Sequence, residues 1–209
     1  QRGDPVELFG RGLYRHDTVF AAAGQRGTDG VVLTVAVPLL LAATRLYRRG
    51  SLAGHLLLVG TLATFGYVYG SAALGTVAYN PLFLVYVALF AASLWAFALA
   101  FGTVDREVLA ARLAGAPRTG TAGLMLASGV VTAGIWIAPL VAAVRSGRPP
   151  ERLDHYSTPV THALDLGIIA PAALMAGVRI LRGSPSGHLV ASSLLVLEVL
   201  LAPLIAAQT

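Results

Sequence analysis

The chain has 209 residues, 56% hydrophobic and only 12% charged, with a mean hydropathy of +0.73. About a quarter of an ordinary soluble domain is charged, so the composition excludes one and specifies a membrane protein. Cysteine is absent, which removes disulfides, thiolate metal centres and cysteine nucleophiles. The 15 basic residues are all arginine and give a net charge of +5 spread over loops, a pattern of topology and lipid headgroup contact rather than nucleic-acid binding.

Residues 1–29 are polar and Gly-rich and read as an extramembrane or interfacial segment. The short apolar run VFAAA within them cannot span, and leaves either a re-entrant lid or a loosely ordered tail. The chain opens on Gln1, from which an upstream signal peptide or helix, since removed, is expected. Six segments near the 20 or so residues needed to cross a bilayer follow, at about 30–47, 51–72, 81–104, 120–144, 160–182 and 187–207. They form one all-α domain over 30–209, a polytopic six-helix bundle. Pro38, Pro171 and Pro203 fall inside segments, which membranes tolerate when neighbours satisfy the freed carbonyls. A pass along the chain picks out no internal repeat.

The arginines set the orientation. Arg45, Arg48, Arg49, Arg106, Arg112, Arg118, Arg179 and Arg182 mark one face. Arg145, Arg148, Arg152 and the tail arginines Arg2, Arg11, Arg15 and Arg26 mark the other, where distance from the membrane weakens their vote. Both termini are therefore expected outside the cytoplasm, in the inner (plasma) membrane. Gly66 and Gly70 make a GxxxG pair for close helix approach, either inside the bundle or between copies in a homo-oligomer.

Alternation of the crossings brings most polar equipment to one end. Tyr67 and Tyr69 close the second segment, Tyr79 and Asn80 open the third with Tyr86 two turns in, and Trp136 lies in that half of the fourth. His162 and Asp165 begin the fifth, and Asp29 precedes the first. The expected result is one cup lined by carboxylate, imidazole and phenol groups. His162 and Asp165, three apart, share a helix side and suit proton donation and acceptance, or a cap on the helix N-terminus. Glu198, mid-segment in SSLLVLEVLLAPL, is the other costly residue, either a second proton-transfer group or a single interhelical hydrogen bond. Asp165, His162 and Glu198 are thus the catalytic candidates, and Tyr67, Tyr69, Asn80, Tyr86, Trp136 and Asp29 the pocket candidates. A metal set adding His155 or Asp29 matches no ligand spacing, so neither metal nor cofactor is expected. Trp95 lies too deep for an interfacial belt and reads as core.

The stretches GRGLYRHDTVF, YNPLFLVYVALFAASL and THALDLGIIAPAALMAGVRIL together resemble a group of small bacterial multi-pass membrane proteins with no assigned activity. The features that carry the resemblance are Asp29, the entry Tyr79-Asn80-Pro81, and His162-x-x-Asp165-Leu166. It implies a membrane bundle and no chemistry. Integral-membrane terpene cyclases, also small bundles with intramembrane carboxylates, supply a chemical analogy in residue type without a shared motif. The function expected is acid/base chemistry of the cyclase or isomerase kind on a lipophilic small molecule. Proton or solute translocation, or a structural subunit, are the alternatives.

Overall fold

The computed structural model describes residues 5–150, 153 and 156–208. Arg2, Arg152 and His155 lie outside them. Among the described residues six helices are long and apolar enough to cross a membrane: α1 Val19–Arg48, α2 Leu52–Thr76, α3 Phe83–Gly102, α4 Arg118–Ser146, α5 Val160–Leu181 and α6 Pro185–Ala206. A short helix, Arg106–Arg112, joins α3 to α4 under an Asp105 cap that accepts from Glu107 and Val108 amides at 2.9 and 3.0 Å. The protein is an all-α, multi-pass membrane bundle.

The first helix starts well before residue 30. Thr18 caps it, its hydroxyl accepting from the Ala21 amide at 3.2 Å, so Asp29 lies a full ten residues inside α1 and not ahead of it. The run expected as a tail or lid is therefore partly helix, and residues 9–17 ahead of the helix form a folded strap. Phe9 N–H donates to Asp17 O at 2.8 Å, and Asp17 N–H to Tyr14 O at 3.0 Å. The Asp17 side chain, 0% exposed, accepts from Ala78 N–H at 2.8 Å and from the Tyr156 hydroxyl at 2.7 Å.

The bundle contains a duplication. Setting Pro38 on Pro171 puts Arg49, Gly50, Ser51, Gly54, His55 and Leu56 on Arg182, Gly183, Ser184, Gly187, His188 and Leu189 without a gap. Local geometry follows the same register. Ahead of each proline one turn widens to i→i+5 bonding, over Val32–Ala36 and Asp165–Ile169, because proline lacks an N–H and its ring crowds the carbonyl four residues back. After each helix a glycine turns the chain at positive φ, 75° at Gly50 and 74° at Gly183. The next serine amide then closes the turn, Ser51 on Leu46 O at 3.1 Å and Ser184 on Arg179 O at 2.9 Å. Gly54 packs against Leu46, and Gly187 against Arg179.

The expectation of no repeat is thus overturned: α1–α2 and α5–α6 are two copies of one helical hairpin. Two crossings, α3 and α4, lie between them, so the copies run the same way, related by an axis along the helix direction. Helices α2 and α6 pack together at this axis, the start of α1 touches α6, and the start of α5 touches α2. At the central contact Gly60 lies against Val196, leaving no room for a side chain. Outside the pair of hairpins, α3 covers α2 and α4 covers α5. A core of Met125, Ala173, Ala176, Ile180, Leu194 and Leu197 fills the space between α4, α5 and α6.

Polar side chains inside the helices are mostly satisfied by their own turns. The Thr44, Thr61 and Thr64 hydroxyls donate to the carbonyls of Leu40, Leu57 and Gly60 at 2.7, 2.7 and 3.0 Å, which removes the cost of burying them. Gly66 and Gly70 face Ser93 and Phe90 of α3 in the same chain, so their groove is occupied within the bundle. Trp95, expected as core, is 68% exposed on the outer flank of α3, where lipid would surround it. Depth in the membrane fixes polarity, not which side of a helix meets neighbours.

Candidate functional site

The expected single cup is two separate clusters, and α2 divides them. In the first, Asp165 Oδ1 accepts from the Tyr67 hydroxyl at 2.8 Å and Oδ2 from Trp136 Nε1 at 2.7 Å. Three helices, α2, α4 and α5, are thereby tied to one carboxylate. The position of Asp165 at the start of the widened turn of α5 follows from Pro171 six residues on. His162 reaches this cluster through its ring, 4.1 Å from that of Trp136 between centroids and tilted by 42°.

Beside Asp165 opens a cavity of about 500 Å³, inside the range of small-molecule sites. It lies at the end of the bundle where α1 begins and α6 finishes. The duplicated hairpins line it in register: Thr28 with Thr161, Val68 with Leu201, and Ser71 with Leu204. The cavity therefore sits on the axis relating the two copies. Tyr67, Trp136 and Asp165 break the symmetry by giving one side a charge. Tyr156, also lining, is held in place by Asp17.

The second cluster surrounds Asp29. The Tyr14 hydroxyl donates to Asp29 Oδ2 at 2.7 Å, and burial together with that bond holds the Tyr14 phenol well above its ordinary pKa. Tyr69 stacks on Tyr86 with centroids 6.4 Å apart. Asn80 donates to the Tyr86 hydroxyl at 3.4 Å, and its carbonyl accepts the Leu82 amide at 2.9 Å. A smaller cavity of about 200 Å³ touches Asn80 and Tyr86. Of the pocket candidates, then, Tyr67 and Trp136 line the main cavity with Asp165, whereas Tyr69, Asn80, Tyr86 and Asp29 belong together elsewhere. The metal set loses Asp29 to this second cluster, and His155 is outside the described residues.

Glu198 stands outside the main cavity. Its Oε1 accepts from the Ser128 hydroxyl on α4 at 2.6 Å. Ser128 and Trp136 are separated by about 12 Å along α4, at roughly 1.5 Å per residue, so Glu198 and Asp165 work at different depths. Of its two expected readings, a proton-transfer group or a single interhelical hydrogen bond, the structure contains the bond, an α6–α4 tie.

Sequence reasoning singles out none of Asp17, Tyr14, Tyr156 and Ser128. Asp17 carried the one available signal: it precedes a Thr cap and an apolar run, the signature of a helix start.

The fold and site define a class: a six-helix membrane protein with a duplicated hairpin around an acidic, aromatic-lined cavity. No family model, no curated protein and no solved structure matches the chain.

Proposed function

We propose that this chain is a plasma-membrane protein, both ends outside the cytoplasm, that draws a lipophilic small molecule into the cavity between the hairpins. There it acts by cofactor-free acid/base chemistry of the isomerase kind. One observation carries the reading: a carboxylate on the cavity wall whose oxygens are held by a phenol and an indole. Indole N–H only donates, so Asp165 is arranged as a proton acceptor, and such charge-assisted bonds fix its orientation.

The step is balanced without a co-reactant. Asp165 takes a proton from a substrate carbon, and that C–H pair forms a new double bond. The displaced π pair takes the Tyr67 proton at a second carbon. The proton on Asp165 then crosses to the phenolate, restoring both groups. This favours isomerisation over a cyclisation begun by a carboxylic acid.

Purified protein in nanodiscs, incubated with a bacterial lipid extract in D2O, tests it. Protein-dependent deuterium incorporation into an extractable compound, abolished in Asp165→Asn and Tyr67→Phe, is expected. No incorporation into any compound would remove the catalytic reading. Translocation is the second reading, favoured by the parallel repeats about a shared cavity; saturable solute uptake into proteoliposomes with no isotope incorporation would support it.

A further inference from the structure

We infer that the main cavity selects a positively charged amphiphile, a lipophilic amine or quaternary ammonium without a phosphate. The inference rests on the reading of the cavity as a ligand site and names its ligand class.

Charge decides first. Among the described residues lining the cavity Asp165 is the one carboxylate, and none of them is Arg, Lys or His. A cationic head placed there meets a carboxylate oriented from two sides, whereas an anion is repelled by it, and His162 behind Trp136 stands outside the lining. The aromatic lining adds to this. The faces of Tyr67, Trp136, Tyr156 and Phe20 stabilise positive charge, and such rings around an ammonium are a recurring recognition device.

The remaining polar groups present oxygens to a cationic head. Gln25 and Gln208 spend their amide N–H on Thr76 O at 3.3 Å and Thr28 Oγ1 at 2.9 Å, leaving their carbonyl oxygens as acceptors. Ser71 is 6% exposed, lines the cavity, and its hydroxyl has no partner among the described residues. A buried hydroxyl of this kind is normally satisfied; the N–H of an amine head would satisfy it, whereas a quaternary head would meet its oxygen through charge alone. Val68, Leu201, Leu204 and Ile205 take an apolar tail. A phosphocholine head carries the same ammonium, but its phosphate would find no basic side chain among the described residues of the lining. A simple amine is therefore favoured over a membrane phospholipid.

The two tryptophans make the test direct, because Trp95 is on the outer flank and Trp136 at the cavity. In a Trp95→Phe background in nanodiscs, Trp136 fluorescence is titrated with dodecyltrimethylammonium, dodecylphosphocholine, dodecyl sulfate and dodecanol. The ammonium should give a saturable change at a concentration about tenfold below the other three, a difference of about 1.4 kcal/mol. Asp165→Asn should erase that preference. Phe20→Arg provides a second variant that leaves packing untouched, since Phe20 is 77% exposed at the cavity; it should weaken the ammonium and strengthen the sulfate. Equal or tighter binding of sulfate or dodecanol would overturn the ligand class while leaving the cavity a ligand site. Tighter phosphocholine binding would overturn the exclusion of phosphate. No saturable response to any probe would overturn the ligand site itself, and the proposed function with it.

Discussion

Tyr67 and Tyr69 leave α2 on opposite sides, and each joins a different carboxylate cluster. Tyr67 donates to Asp165 at 2.8 Å, while Tyr69 stacks on Tyr86 in the cluster of Asp29. At 3.6 residues per turn two residues are about 200° apart, so a Tyr-x-Tyr pair cannot serve one pocket. The two phenylalanine variants should therefore separate. Tyr67→Phe removes one charge-assisted bond, costs about 1.5–3 kcal/mol, and abolishes isotope exchange. Tyr69→Phe leaves exchange and the Trp136 response unchanged. Detergent melting curves and the D2O assay on both variants check this, and equal loss in the two would mean a single shared site.

Glu198→Gln should keep whatever activity the cavity has. The amide oxygen still accepts from Ser128, and the residue lies outside the cavity. Ser128→Ala is the harsher change, because it strands a partly buried acid without its donor, at about 1–3 kcal/mol. A melting temperature lower in Ser128→Ala than in Glu198→Gln, with exchange intact in both, is the expected pair of results. Loss of exchange in Glu198→Gln would return it to the mechanism.

The sequence made six crossings legible because twenty apolar residues have few other uses, and the alternation argument placed the polar groups at one end correctly. It could not say which of them share a side of a helix, so Asp165, Asp29 and Asn80 were merged into one cup. The first helix begins earlier than hydropathy predicts, because Gln25, Arg26, Thr28 and Asp29 read as loop; a Thr18 cap and tertiary burial carry the helix through them. The repeat was legible in principle. The run Arg-Gly-Ser-x-x-Gly-His-Leu occurs twice, but hydropathy treats one apolar helix like another, and only the identity of turn residues betrays the copy. Asp17 shows the opposite limit, since its partners Ala78 and Tyr156 are distant in sequence and meet only through the fold.

The glycines give a stability prediction that inverts the motif reading. Gly66 belongs to the GxxxG pair, yet a Cβ there would sit 3.9 Å from Ser93 Cβ, an ordinary contact. Gly60 belongs to no motif, but a Cβ there would overlap Val196 at the α2–α6 contact. Gly66→Ala should therefore melt like the parent. Gly60→Ala should lose about 1–3 kcal/mol by overpacking and shrink or reshape the cavity on the same axis. Thermal denaturation in one detergent compares them, and equal melting would place the axis contact elsewhere.

Tyr14 supplies a pH dependence whose sign is fixed by burial. Its phenol lies in the strap ahead of α1 and donates to Asp29, and both burial and that carboxylate raise its pKa above the ordinary 10.0. Above pH 10 or so the unfolded chain releases this proton while the folded one keeps it, so the unfolded state binds fewer protons and stability falls as pH rises. Below that point the two states hold the same proton and Tyr14 contributes no slope. The parent should thus lose melting temperature steeply from about pH 10 upward. Tyr14→Phe, which has no proton to lose, should start lower by the missing bond and then decline less. Crossing or converging of the two melting curves between pH 9 and pH 11 is the signature; parallel curves throughout would show that Tyr14 ionises freely in the folded protein and that the strap does not bury it.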